Sequence, residues 1–400
     1  MEKNTGFDKL IVSLGQLDDP RGGFSISYPL NEILFLTISS VLSGFSEWEE
    51  IVDFGIEKID WLRNYLPYKN GIPSHDTLNR VMGMINYRSF EEVFVHWTTI
   101  DLKLPQGVVI NIDGKRLRSS ASKMEQQTPH SAGGKSAVHI VEAWCGAVQM
   151  CLAQYKTADK SNEITAIPVI LDWIEIEGST ITIDAMGCQK NIAAKIIKKE
   201  ADYILAVKGN QEALQEAVIE AFKESKNSET VELECYEQVE KGHGRIEYRR
   251  SQVLPCSKLP KNMIEEWEGL RSIVEISSKR IIVSTNRTET ETRYYISSKL
   301  DSPEIFNQKI RGHWQIENQL HWTMDVLFDE DASRKRSGNS AQNFAIIRRM
   351  ALNILKNNPD KISVNRKMNK CAMSDTYRDK NLQAIIGRKD KDSESFKLKL

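Results

Sequence analysis

Apolar residues recur at helical spacing from the start of the chain to about residue 100, and the pattern changes at Leu104-Pro105. Tyr28-Pro29-Leu30 opens an apolar run that reaches Phe45. Glu47 to Phe54 carries another, and Ser74-His75-Asp76-Thr77 has the polar caps of a helix start. Glu32 and several Ser and Thr interrupt the run from Tyr28 to Phe45, which makes it too polar to cross a bilayer cheaply, so a buried helix is expected there. Phe45, Trp48, Phe54, Trp61, Phe90, Phe94 and Trp97 supply the core of a helical bundle. A helix-turn-helix entering DNA is the sharper alternative, but no positive recognition helix stands out.

Beyond Pro105, β-branched runs take over. Gly107 to Ile112 reads as a buried strand, and Ala137 to Trp144 and Val148 to Tyr155 as two more. The polar stretch from Ser119 to Lys135 reads as an exposed connection. A helix over Asn162 to Ile174, a strand over Ser179 to Ile183, a helix over Lys190 to Glu200 and a strand over Tyr203 to Val207 follow. A three-strand meander followed by alternating helices and strands predicts an α/β mixed sheet covered by helices. Gln211 to about Thr292 breaks the rhythm: an acidic helical stretch gives way to strand-like runs at Glu234 to Leu254 and Arg271 to Val283, as an insertion would. Tyr294 to Ser297 returns to a short strand, and Pro303 to Phe328 and Ala341 to Lys356 read as long helices. The stretch after Pro359 is polar, Lys-rich and without a clear period, so a mobile tail is expected. The expected division is a helical region 1–103, an α/β region 104–356 with its insertion at 211–292, and a tail 357–400.

Lys plus Arg (54) nearly balances Asp plus Glu (55) in the 400 residues, for a net charge of −1. That excludes a uniformly basic nucleic-acid coat but leaves room for a local basic groove, because phosphate affinity depends on where charges sit. The amino terminus lacks the apolar core of a signal peptide. Six cysteines (Cys145, Cys151, Cys188, Cys235, Cys256, Cys371) are scattered without a C-x-x-C pair, so free thiols and a cytoplasmic location are expected.

Three acids stand where a core does not need them. Asp113 follows the strand GVVINI and Asp184 follows STITI, each at the end of a buried strand where open α/β sheets place ligand sites. Glu317 lies mid-helix among Trp314, Ile316 and Leu320, a poor place for an unpaired charge. Carboxylates converging from two strand ends and a helix suit hard divalent cations such as Mg²⁺, and two such ions could serve an in-line phosphoryl displacement. Taken singly, a strand-end Asp is as often a turn or helix cap, and a helical Glu is usually solvated.

His313, Glu317 and His321 are spaced to share one face of an α-helix. A zinc site is the lesser reading, since H-E-x-x-H is absent. Histidines donating to DNA phosphate beside the metals is the better one, with a packed helix face as the ordinary alternative. Basic residues gather nearby in sequence: Lys115, Arg116 and Arg118; Lys241, Arg245, Arg249 and Arg250; Arg334, Lys335, Arg336, Arg348 and Arg349. Several such runs in a chain of neutral net charge suggest a polyanion groove.

Five segments then carry a resemblance: N-I-D-G-K (111–115), I-D-A-M-G-C-Q-K (183–190), A-V-K-G-N-Q (206–211), H-G-R-I-E-Y-R (243–249) and R-G-H-W-Q-I-E-N-Q-L-H-W (311–322). They resemble the DDE transposases of bacterial insertion sequences, with the closest match to the H-repeat-associated (ISAs-type) family. D-P-R (19–21), Y-P-L-N-E-I-L (28–34) and G-I-P-S-H-D-T (71–77) are similar to that family's helical leader, and D-A-S-R (331–334) and R-R-M-A-L-N-I-L-K (348–356) to its carboxyl end.

The resemblance implies a ribonuclease H-like sheet with a strand-rich insertion, preceded by a helical domain. It implies that Asp113, Asp184 and Glu317 hold Mg²⁺ or Mn²⁺, with two ions expected, and that the activity is DNA cleavage and strand transfer. Lys208 and Asn210, at the end of the fifth strand, would lie beside DNA, as would Lys115, Arg245, Arg311 and His313. The partners implied are double-stranded DNA, both element ends and target, and a second copy of the chain to pair two ends; no membrane is expected. Where the wider superfamily has Tyr, Arg, Glu and Lys along the last helix, this chain has Ile310, His313, Glu317 and Met324, so His313 would replace the Arg with a weaker, pH-dependent charge. A catalytically dead DNA-binding descendant and a ribonuclease H-like nuclease without strand transfer are the rival readings.

Overall fold

The computed structural model describes residues 5–22, 26–121, 136–158, 163–228, 233–242, 244–285 and 287–384. Six helices come first: α1 Gly6–Leu14, α2 Leu30–Leu42, α3 Trp48–Glu57, α4 Ile59–Leu62, α5 His75–Met84 and α6 Tyr87–Thr99. Polar residues start several of them. Thr5 and Asp8 form a reciprocal cap on α1, Ser74 accepts from the Thr77 amide at α5, and Asn86 accepts from two amides at α6. All but one residue of α2 is buried, as its apolar run predicts. Glu32 inside it is satisfied by the Tyr68 amide at 2.9 Å.

The sheet region follows as β1 Val109–Leu117, β2 Val138–Cys145, β3 Met150–Lys156, α7 Glu163–Trp173, β4 Thr180–Ile183, α8 Lys190–Lys198 and β5 Asp202–Val207. Next come α9 Glu212–Asn227, β6 Cys235–Gly242, β7 Arg245–Pro255, α10 Lys261–Glu265, β8 Ser272–Ile282 and β9 Arg287–Ser297. One nine-stranded sheet takes them all in the order β3-β2-β1-β4-β5-β9-β8-β7-β6. Its first five strands, with β1, β4 and β5 parallel and β2 and β3 antiparallel, are a ribonuclease H-like core. The expected insertion extends this sheet. β9 runs antiparallel along β5, and Tyr294 to Ser297 is only the inner end of an eleven-residue strand.

α11 Pro303–Gln315 packs on β1, β4, β6, β7 and β8. The single long helix expected to Phe328 is instead α11, one wider turn of π-helix over Ile316–His321, and α12 Trp322–Leu327. Buried Ile316, Leu320 and Met324 are four residues apart, a spacing that drifts around an α-helix and that a wider turn brings into line against the core. α13 Ser340–Asn357 packs on β3 and on α2, α5 and α6, so it joins the sheet to the helical region.

The expected mobile tail is a second correction. Residues 364–383 form α14 Val364–Met373 and α15 Asp375–Gln383, capped by Ser363 and Ser374. Their polar residues do the packing. Buried Lys367 donates to the carbonyls of Leu355 and Asn358 at the end of α13, and buried Arg378 stacks over the Trp61 ring at 4.3 Å. Residues 385–400 lie outside the described ones, as do most of the expected Ser119–Lys135 connection and His243 of the H-G-R-I-E-Y-R segment.

Candidate active site

The parallel β1/β4 ladder ends at the pair Ile112 and Ile183. The next residue on each strand is an aspartate, so Asp113 and Asp184 emerge side by side. β1 does not stop there, as the sequence suggested; it continues to Leu117 because β2 pairs with it throughout. Asp184 does begin a turn, and one of its carboxylate oxygens accepts from the amides of Met186 (3.0 Å) and Gly187 (3.3 Å). Asn210 steadies that turn by donating to the Ala185 carbonyl at 2.6 Å.

A third carboxylate joins them that sequence reasoning missed. Glu163, the first described residue of α7, brings a carboxylate oxygen within 4.8 Å of ligand oxygens on both Asp113 and Asp184. His139 Nε2 holds it at 3.1 Å. Gly114 makes room: a Cβ there would overlap the Glu163 carboxylate. Nothing in the local pattern marked Glu163, which reads as an ordinary acid in the first turn of a helix.

Glu317 stands on the π turn, exposed, and lines a cavity of about 240 Å³ together with Asp113, Asp184, Lys208, His313 and Trp314. It is not within the close carboxylate group. What brings its helix here is a buried chain of hydrogen bonds. Asn111 donates to the Gly312 carbonyl at 3.1 Å, the Thr182 hydroxyl donates to Asn111 Oδ1 at 2.7 Å, and His313 Nδ1 lies 2.9 Å from that hydroxyl. The hydroxyl proton is given to Asn111, so His313 Nδ1 donates to the oxygen. Strands β1 and β4 thereby fix α11, and Glu317 follows one turn later.

A larger cleft of about 800 Å³ runs beside it between α11 and the extended strands, and Glu317 and Trp314 line both. Arg245, Arg249, Arg280, Arg293 and Arg311 line the larger cleft, with Glu247 and Glu291 among them.

A family model described as the transposase DDE domain matches residues 104–354, and one described as DDE_Tnp_1-associated matches residues 11–98. The chain belongs to the DDE transposases. "H repeat-associated putative transposase YhhI" of Escherichia coli K12 is 41% identical over 377 residues, spanning 92% of this transposase and 96% of that protein. "Putative protein YbfL" of the same strain shares the same figures. "Putative transposase YncI" of E. coli O157:H7 is 40% identical over 370 residues, spanning 92% and 93%. Among solved structures, a piggyBac transposase synaptic complex with hairpin DNA overlies 94% of the transposase at a TM-score of 0.42 and 11% identity.

Transposase chemistry acts on DNA and uses divalent metal, and the acidic group fits such an ion. Its donors are all carboxylate oxygens, half-buried and mutually close, as hard cations require. Without a cation they repel. Burial first, then the charges of Glu163 and Asp184, push the Asp113 carboxyl up to about 7, against the nearby His321 and the Gly114 amide. Burial and Glu163 raise Asp184 as well.

Several basic residues expected beside DNA are employed elsewhere in the transposase. Lys115 is buried and pairs with Asp325 (2.5 Å) and Glu330 (3.2 Å). Lys335, Arg348 and Arg349 are buried too, so that basic run is largely core. His313 is no substitute for an arginine: burial first, then the charge of Arg293 and the ring of His321, lower it to about 4, and it is neutral at pH 7. His321 turns inward toward Asp113 and Glu142. The three residues His313, Glu317 and His321 form no common ligand group among the described residues, which disposes of the zinc reading. Lys208, Asn210 and Arg245 are exposed at the cavities or beside them, and exposed Arg311 is paired with Glu240. No helix among the described residues is long and apolar enough to cross a membrane.

Proposed function

We propose that Asp113, Asp184 and Glu317 are the catalytic carboxylates of this transposase, with Glu163 as a fourth acid of the same centre, and that the substrates are the terminal repeats of its own element and a target duplex. The observation that carries this reading is the pair of aspartates leaving one parallel ladder side by side, with Glu317 lining the same cavity. Mg²⁺ or Mn²⁺, two ions, would be held by these carboxylates. When bound, the cations supply a nucleophilic oxygen at neutral pH and neutralise charge on the reacting phosphate.

The chain's own groups supply the rest. The Met186 and Gly187 amides fix one oxygen of Asp184 and leave the other for a ligand. The Asn111–Thr182–His313 chain ties the helix that carries Glu317 to β1 and β4. Lys208, Arg245 and Arg311 are free to reach phosphates of a bound duplex, Arg311 by exchanging Glu240 for phosphate. Hydrolysis leaves a 3'-hydroxyl at the element end, and that hydroxyl then displaces a 3'-oxygen in target DNA. Pairing two element ends calls for a homodimer, working in the cytoplasm where the element's DNA is.

The test uses duplexes bearing the element's end with Mg²⁺ or Mn²⁺. The wild type should cleave an intact end and join a pre-cut one to a plasmid, and Glu317→Gln should do neither while still binding the end. Binding alone by the wild type would favour a dead descendant, and cleavage without joining a simple nuclease.

A further inference from the structure

We infer that His321 is a positioning residue of the acidic centre, setting Asp113 toward its fellow carboxylates from a buried ion network behind the site. The inference rests on the reading of Asp113 as a metal-holding group. Asp113 and Glu142 are direct cross-strand partners on β1 and β2. Two like charges so placed repel, and the repulsion is larger where water is excluded. The His321 ring stands between them, with Nδ1 3.8 Å from Asp113 Oδ2 and Nε2 3.2 Å from Glu142 Oε2.

Behind the ring the arrangement is fixed. Glu142 is fully buried and takes Arg349 Nε at 2.6 Å and Nη2 at 3.2 Å. Arg349, also fully buried, grips Glu330 as well, and Lys115 pairs with Glu330 at 3.2 Å. Lys115 Nζ further donates to the His321 backbone carbonyl at 3.3 Å. The network therefore holds His321 by backbone and ring together. It places two buried cations against two buried acids, which is what lets such charges persist in a core. Arg349 lies on α13, the helix seated on α2, α5 and α6. The orientation of Asp113 is thus tied to a helix shared with the amino-terminal region. Sequence spacing had grouped His321 with DNA-facing residues, because the π turn that rotates it inward leaves no mark in the pattern.

Groups that orient a ligand cost about 10- to 100-fold in metal affinity when removed. The test is Mn²⁺ binding to the full chain by calorimetry, with thermal melting in chelator as the control for folding. His321→Ala removes the ring, and His321→Leu removes both nitrogens while filling its space. Both should bind Mn²⁺ at least about tenfold more weakly, with chelated melting points close to wild type. Wild-type affinity in either folded variant overturns the positioning role; weak binding by Ala but not by Leu assigns the effect to packing and overturns it too. Should both disturb the fold, His321→Met, which fills much of the ring's space with no hydrogen-bond donor, decides in the same way. Wild-type chain that binds no Mn²⁺, or binds it undiminished as Asp113→Asn, overturns the underlying metal reading instead.

Discussion

Asp113 and Asp184 are each the first residue past the last rung of the β1/β4 ladder, Ile112 opposite Ile183. Parallel strands in register deliver their next side chains to the same level, so two acids one residue beyond the rung must share a site. The fold makes the pair; Gly114 and the start of α7 add Glu163 to it.

Gly114→Ala tests that addition. A Cβ at 114 overlaps the end of the Glu163 side chain, which can swing away, so the fold should survive with the unfolding midpoint little changed. Mn²⁺ affinity should fall, by about tenfold if Glu163 acts as a ligand or orients one. Calorimetric titration checks it. Unchanged affinity would leave Glu163 a bystander paired with His139.

DNA binding separates exposed cations from buried ones. Lys208→Ala and Arg245→Ala should each weaken binding of an end-bearing duplex and reduce the slope of log K against log salt by about one unit. Lys115→Met should leave that slope unchanged, since Lys115 is committed to Asp325 and Glu330. Gel shifts across a salt series distinguish the two classes.

Acid stability should carry the mark of His313. Its folded value of about 4 lies below the ordinary 6.5, so the unfolded chain binds the proton more readily. Stability from this group is complete above pH 6.5, falls as pH drops from 6.5 to 4, and is level below. The loss is at most about 3 kcal/mol. Urea unfolding at pH 7 and pH 4.5 should show a smaller difference for His313→Gln than for the wild type. An equal difference would remove His313 as a source.

The sheet was legible because strands β1 to β5 are short apolar runs, several of them rich in Val, Ile and Thr, punctuated by Gly and polar turns, which local pattern reveals. The positions of Asp113 and Asp184 were legible for the same reason, although β1 runs on past Asp113. Glu163 was not, because its partner across the sheet is set by register and by the missing Cβ of Gly114, neither of which has a local signature. The π turn was hidden inside a plausible α-helical period. The tail misled because Lys367 and Arg378 bury their stems and cap carbonyls, so a polar composition there is compatible with packing. Basic runs misled in the same way: Lys115 and Arg349 neutralise Glu142 and Glu330 inside the core.

Asp184→Asn asks most directly whether the two acids just past the β1/β4 ladder run the chemistry. The Asn oxygen can still cap Met186 and Gly187, so the turn and the fold are kept and only a negative charge is lost. The measurement is binding and Mg²⁺-dependent cleavage on one end-bearing duplex. End binding equal to or tighter than wild type, with cleavage and joining both abolished, is the predicted result. Normal cleavage by the Asn variant would contradict the account, reducing Asp184 to a turn cap and leaving the centre without its second carboxylate.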